Sequence, residues 1–188
     1  MRTMPSMLIA APGDPMEVRA CIRYLIKNPQ PSYLRLGKSG EACVHKEVPQ
    51  VAPGKWLKLD AREGDRVAIL STGATLTIAL EHANEISSIR CSVFSLPLWG
   101  MTEKPKQAEM VGQFERIVTM EDHLADGGFG SWLCESVNGL DDLPARIRIK
   151  ALEPSVAGLV GKQSTLNKVG GLLSFELDRL FDGSPPLL

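Results

Sequence analysis

Residues 66–96 read RVAILSTGATLTIALEHANEISSIRCSVFSL. The stretch opens on a continuous apolar run, RVAILST (66–72), of the kind a strand buried on both faces shows. Gly73 interrupts it, and Leu76, Ile78, Ala79, Ala83 and Ile86 then recur at helical spacing. IRCSVFSL (89–96) returns to strand composition. Strand, helix, strand in this order predicts a right-handed crossover and parallel pairing.

The pattern continues outward. WLKLD (56–60) reads as a brief edge strand and ERIVTM (115–120) as a further strand. KQAEMVGQF (106–114) predicts a short helix, and FGSWLCESVNGL (129–140) a helix ended by Asn-Gly. ARIRIKAL (145–152) alternates, as a strand nearer an edge does. TLNKVGGLLSFELDRLF (165–181) reads as a closing helix with Leu172, Phe175, Leu177 and Leu180 on its apolar side. PLWGMTEKP (97–105) interrupts the alternation. The sum is an α/β protein: a three-layer α/β/α domain over 56–184, with helices on both faces of a mostly parallel sheet.

Upstream lies a smaller strand-helix-strand piece, assigned to residues 1–40. MLIAA (7–11) and SYLRL (32–36) are its strands. Between them Asp14 can cap a helix, with Pro15 in the first turn and Glu17 three residues after the cap. Val18, Cys21, Ile22 and Leu25 give that helix an apolar stripe. The piece is too short to bury its own core, which predicts a dimer or a hetero-complex. The polar, Gly- and Pro-bearing residues 41–55 read as the linker between the two units.

Composition excludes several classes. The 188 residues carry 21 basic and 22 acidic side chains, a net charge of -1, so no basic field exists to hold a nucleic acid. No apolar stretch approaches the ~20 residues of a membrane span, and MRTMPSMLIAAPGD (1–14) lacks a signal-peptide core. A cytoplasmic protein is expected. Cys21, Cys43, Cys91 and Cys134 form no C-x-x-C pair and read as reduced thiols. The three histidines, His45, His82 and His123, are too scattered for a metal cluster, and His82 reads as a surface residue within its helix.

Three stretches can carry function. In TMEDHLADGGFGS (119–131), Glu121, Asp122 and His123 stand at the end of a predicted strand, where α/β folds place ligands. Gly127, Gly128 and Gly130 permit a tight turn into a helix whose first amides are free, an anion site or simply a close helix dock. GGFG is neither a dinucleotide fingerprint nor a P-loop. His123 beside Asp122 can act as a general base, but no nucleophile is specified nearby. STGAT (71–75), with Gly73, is a second junction of the same kind, read as an anion site or a helix cap. In YLRLGKSG (33–40), Arg35 and Lys38 lie where a strand opens into a loop, and two cations there can hold a phosphate.

AAPGDPMEVRACI, YLRLGKSG, GDRVAILSTGATLTIALEHA and RIVTMEDHLADGGFGSWLCE, taken in order, resemble the transketolase family of thiamine-diphosphate enzymes. The resemblance covers nearly the whole chain, from late in a pyrimidine-binding domain through the transketolase C-terminal domain. It implies that Arg35 sits at the strand-end arginine position and that Lys38 replaces an arginine that helps hold the substrate's phosphate. It implies that Glu121, Asp122 and His123 match an E-[ED]-H signature, and Gly127, Gly128 and Gly130 its glycine turn, in a domain that supports dimer and domain contacts. No GDG metal motif stands in this sequence, and LPLWGMTEKP departs from the family's P-[LI]-D. The resemblance places the glutamate that activates the thiamine ring upstream of residue 1.

No residue of this chain is therefore expected to be catalytic, and the chain alone is expected to bind neither thiamine diphosphate nor magnesium. The reading is a C-terminal subunit or fragment of a transferase acting on a sugar or 2-oxo substrate, working with a companion N-terminal chain or as a homodimer. A stand-alone module binding a small anion and a freestanding enzyme using His123 are the alternatives.

Overall fold

A computed structural model describes residues 1–37, 40–61, 64–85, 91–140 and 145–174. The strands are β1 (Leu8–Ala10), β2 (Ser32–Leu34), β3 (Leu57–Asp60), β4 (Val67–Ser71), β5 (Cys91–Ser95), β6 (Leu98–Gly100), β7 (Arg116–Leu124) and β8 (Arg146–Leu152). The helices are α1 (Pro15–Lys27), α2 (Leu76–Glu85), α3 (Gln107–Val111), α4 (Phe129–Val137) and α5 (Gln163–Val169).

The main sheet has the order β3-β5-β4-β7-β8. β4 lies at its centre and pairs in parallel with β5 and β7, β7 pairs in parallel with β8, and β3 is an antiparallel edge. Alternation along β4 explains the layers. Val67 and Ile69 face Ile78 and Ala79 of α2, while Ala68 and Leu70 face Val111 of α3 and Phe129, Trp132 and Leu133 of α4. The fold is the three-layer α/β/α arrangement with a mostly parallel sheet. Two aromatic groups fill the α3/α4 side: Trp56 with Phe94 and Phe114, and Trp99 with Phe129 and Trp132.

The opening piece forms a second sheet of three strands, β2-β1-β6. β6 comes from PLWGMTEKP, the stretch that breaks the sequence pattern. It pairs antiparallel with β1, setting Ile9 opposite Trp99. Backbone bonds continue the stitching: Ala11 N–H donates to Pro97 O at 2.8 Å, and Gly73 N–H to Ala11 O at 2.9 Å. The opening unit is thus completed by a strand of the following segment and seated on the C-terminal ends of β4 and β5.

Several expectations change. The inward face of α1 is Glu17, Ala20 and Cys21, with Leu25 partly covered and Ile22 exposed, because β1 and Leu98 approach that side. The closing helix pattern is interrupted: α5 ends at Val169, where Gly170 and Gly171 (φ 78°) follow and turn the chain. Phe175, Leu177 and Leu180 lie outside the described residues. His82 is buried at 5% exposure, its Nε2 3.0 Å from Leu172 O, because the segment after α5 covers it.

Candidate functional site

β7 runs on through Glu121, Asp122 and His123 to Leu124. The sequence pattern ends the strand at Met120; the structure carries it further, and each of the two carboxylates finds hydrogen-bond donors within the chain. Glu121 is 2% exposed. Its carboxylate accepts the Phe129 N–H at 2.6 Å and the Gly130 N–H at 2.8 Å, so a residue of β7 caps the start of α4. Burial pushes its pKa up, the two amides pull it down, and it settles at about 7.

The glycines around it have distinct reasons. Gly127 has φ 69°, which favours glycine. A side chain at Gly128 would fall on the Glu121 carboxylate and the Leu124 carbonyl. A Cβ at Gly130 would stand 2.5 Å from Thr119 Oγ1 and 2.6 Å from Ile149 Cγ2, so α4 docks on β7 and β8 only with glycine there.

Asp122 reaches the opening unit. Arg35, just past the end of β2, donates to Asp122 Oδ1 at 2.5 Å, to Oδ2 at 3.0 Å and to the backbone oxygen at 3.0 Å. Burial lowers the guanidinium's pKa, and the bond and charge of Asp122 raise it above the ordinary value. His123 is exposed, with Nδ1 3.1 Å from Leu124 O. Asp122 therefore holds Arg35, and the Asp122–His123 pairing a general base needs is not formed.

At the second junction Gly73 has φ 66°, and its N–H is bonded to Ala11 O. Thr75 Oγ1 lies 2.9 Å from Ser71 Oγ and contacts Thr72 O at 3.1 Å and Met120 O at 2.9 Å. Lys38 lies outside the described residues.

Between the two sheets is a cavity of about 370 Å³, lined in part by Arg2, Tyr33, Arg35, Glu121, Asp122 and His123. The structure thus gathers Arg35, the acidic pair, His123, Gly127 and Gly128 around one space, with Gly73 against the Arg35–Asp122 pair. Arg2 is a charged wall residue that the sequence did not single out. Its Nε donates to Gly127 O at 2.7 Å, and its guanidinium pairs with Glu135 on α4 at 2.7 Å. A lone arginine near the start carries no local pattern that could have signalled it.

The transketolase C-terminal domain family matches residues 54–167, which span β3 to α5. The chain belongs to the transketolase family. Among curated relatives, a 1-deoxy-D-xylulose-5-phosphate synthase of Thermus thermophilus is 35% identical over 141 residues, 73% of this chain and 22% of the relative. Another of that name, from Clostridium perfringens, is 27% identical over 174 residues, 90% of this chain and 27% of its own length. The chain thus spans about a quarter of these relatives or less. Among solved structures, a split-gene transketolase, an inactive beta4 tetramer, superposes with a TM-score of 0.75 at 26% identity, covering 92% of this chain and 55% of that one. A Pichia stipitis transketolase complexed with sedoheptulose 7-phosphate gives 0.60 at 17% identity, covering 91% of this chain and 24% of its own, a likeness of fold.

Family members use thiamine diphosphate with a divalent cation, and the donor set around the cavity does not suit that pair. Glu121 gives both oxygens to backbone amides and Asp122 both to Arg35. Both carboxylates thus spend their oxygens on donors of this chain, and neither is free to hold a divalent cation. Among the described residues, no group of three or more His, Cys, Asp or Glu side chains can hold a metal ion. Among them too, no helix is long and apolar enough to cross a membrane.

Proposed function

We propose that this chain is the C-terminal subunit or part of a transketolase-like thiamine-diphosphate enzyme that transfers a ketol or aldehyde unit from a sugar or 2-oxo substrate in the cytoplasm. Residues 1–40 act as the end of a pyrimidine-binding domain, 41–55 as a linker, and the rest, to about 184, as the C-terminal domain. A companion N-terminal chain, a second copy of this chain, or both supply the cofactor surfaces.

One observation supports the reading: at both strand-to-helix junctions the side chains of Thr75, Glu121 and Asp122 are bonded within the chain, as in a scaffolding rather than a reacting part. Arg35 is where substrate contact is best supported. Its side chain is 33% exposed and lines the cavity. A guanidinium has about five N–H donors. The bonds to Asp122 use three of them, which leaves donors for a phosphate that Lys38 would help to hold.

Calorimetry with thiamine diphosphate and magnesium tests the proposal. The chain alone is expected to give no micromolar binding, and the chain mixed with its companion to give saturable binding with activity. Micromolar binding by the chain alone overturns the reading.

A further inference from the structure

A second ionisable cluster lies away from the cavity, where the 41–47 stretch crosses the start of α1. Asp14 and Glu17 are 2% and 0% exposed. Asp14 Oδ1 accepts the Glu17 N–H at 2.7 Å, the cap expected from sequence. Its other oxygen faces the loop: Oδ2 accepts the Val44 N–H at 2.9 Å and the His45 N–H at 2.8 Å, and lies 3.1 Å from His45 Nδ1. Glu17 Oε2 accepts the Gly13 N–H at 2.6 Å, one residue earlier than the usual capping box. Its Oε1 has no hydrogen-bond partner among the described residues and faces His45 Nε2 at 3.8 Å.

The imidazole therefore stands between two buried carboxylates. With Nδ1–H donated to Asp14, the neutral ring turns a lone pair toward Glu17 Oε1. Two acceptors facing each other in a dry site repel unless a proton lies between them. That proton rests on the ring or on the carboxyl, and either way the three groups together carry one negative charge. Without it they carry two, both buried. The other groups at hand do not relieve this. Cys21, one turn along α1, is pushed up to about 12 by burial and stays a thiol. Cys43 turns its Sγ to His45 O at 3.4 Å. The Ser95 hydroxyl on β5 lies beside Glu17 and pulls its pKa down in part, but it has no hydrogen bond to Oε1 within normal geometry and adds no titrating charge.

We propose that Asp14, Glu17 and His45 form a one-proton latch that fastens residues 41–47 onto the N-terminus of α1 and releases them when the shared proton is lost. The device stands independently of the enzymatic reading. Its sign follows from the groups. Burial first, partly opposed by the Gly13 amide, the Ser95 hydroxyl and the charge of His45, raises the Glu17 pKa above its ordinary value of 4.5. A raised carboxyl contributes stability that is present below the ordinary value and lost as pH rises through the folded one. Asp14 runs the other way: burial raises its pKa, but the His45 and Glu17 amides win and it ends lowered, so it stays an anion throughout. The latch loosens as the solution becomes more alkaline.

Hydrogen exchange of the intact chain, read by mass spectrometry over residues 41–47, tests this. Protection is corrected for intrinsic exchange and referenced to β4 amides. In the wild type it is expected to fall at least about tenfold as pH rises while β4 stays constant. Glu17→Gln keeps a permanent donor toward Nε2 and is expected to hold the loop at every pH; His45→Gln is expected to leave it open at every pH. Loop protection independent of pH in the wild type, or an unchanged slope in Glu17→Gln, overturns the proposal. Should Glu17→Gln fail to fold by circular dichroism, the wild-type His45 ring nitrogens decide by NMR. Titration in step with the Val44 and His45 amides supports the latch, and a ring that does not titrate with them refutes it.

Discussion

Two strand-to-helix junctions stand side by side at the C-terminal end of the main sheet and are closed by opposite chemistry. After β4, neutral groups close the chain: the Thr75 hydroxyl, backbone carbonyls and the Gly73–Ala11 bond. After β7, a buried carboxylate does it, with Glu121 lying on the first amides of α4. α/β folds usually leave this edge open for ligands. Here the opening sheet sits on the first junction, and the protein's own anion fills the second. The difference teaches where the molecule should respond to protons and where only to shape.

The largest effect should come from breaking the charged junction sterically. Gly128→Ala drives a Cβ into the Leu124 carbonyl and into the Glu121 carboxylate, which cannot retreat without undoing the cap on α4. A loss of about 3 kcal/mol is expected by denaturant unfolding. Gly127→Ala is the matched control: nothing lies within 4 Å of its Cβ, and only its φ of 69° opposes the change. About 1 kcal/mol is expected there. Equal losses at the two positions would show that the packing around Glu121 is loose.

Nearly as large is the pH dependence of the same junction. The Glu121 pKa is raised from 4.5 to about 7. Its contribution to stability is therefore complete below 4.5 and lost as pH rises through about 7. Integrated over that window the change is about 3 kcal/mol at most. Glu121→Gln should remove this slope, read as the difference between wild-type and variant unfolding free energies across the window. Parallel curves would mean that the carboxyl titrates alike in folded and unfolded chains.

Much of this contrast was legible in the sequence, and the reason for the rest is consistent. Residues 66–96 announced the parallel strands because each signal there is local: a buried apolar run, a glycine, a helical stripe. Gly127, Gly128 and Gly130 announced a tight turn for the same reason. What stayed hidden depends on partners far along the chain. β6 is three residues long, and its strand character comes from pairing with β1. Glu121 and Asp122 look like the end of a strand until Phe129, Gly130 and Arg35 are placed against them. His82 looks like a surface residue until Leu172 covers it. In each case a distant partner overrode local polarity or shortness.

The neutral junction supplies the converse test. Thr75→Val keeps the shape but removes the hydroxyl shared by Ser71, Thr72 and Met120. The Met120 carbonyl keeps the Thr72 N–H at 3.1 Å, but Thr72 O and the Ser71 hydroxyl lose their buried contact with Thr75, at an expected cost of about 2 kcal/mol. Because no charge is involved, the loss should be the same at either end of the Glu121 titration window. A loss that changes with pH would couple the two junctions and dissolve the distinction between them.

The smallest expected effect concerns the link between the opening sheet and the charged junction. Arg35 and Asp122 form a bidentate pair, but the arginine side chain is 33% exposed and the aspartate 7%. Water screens half of the pair while the protein shields the other. A double-mutant cycle with Arg35→Ala and Asp122→Ala should therefore give a coupling of only about 1 kcal/mol, reduced by added salt. The single Asp122→Ala change should be the milder one, because it leaves a guanidinium that can turn to solvent, whereas Arg35→Ala leaves a nearly buried carboxylate without its cation. A coupling near zero would mean that the sheets are held together by backbone pairing and apolar packing alone, leaving the guanidinium free to serve an incoming anion.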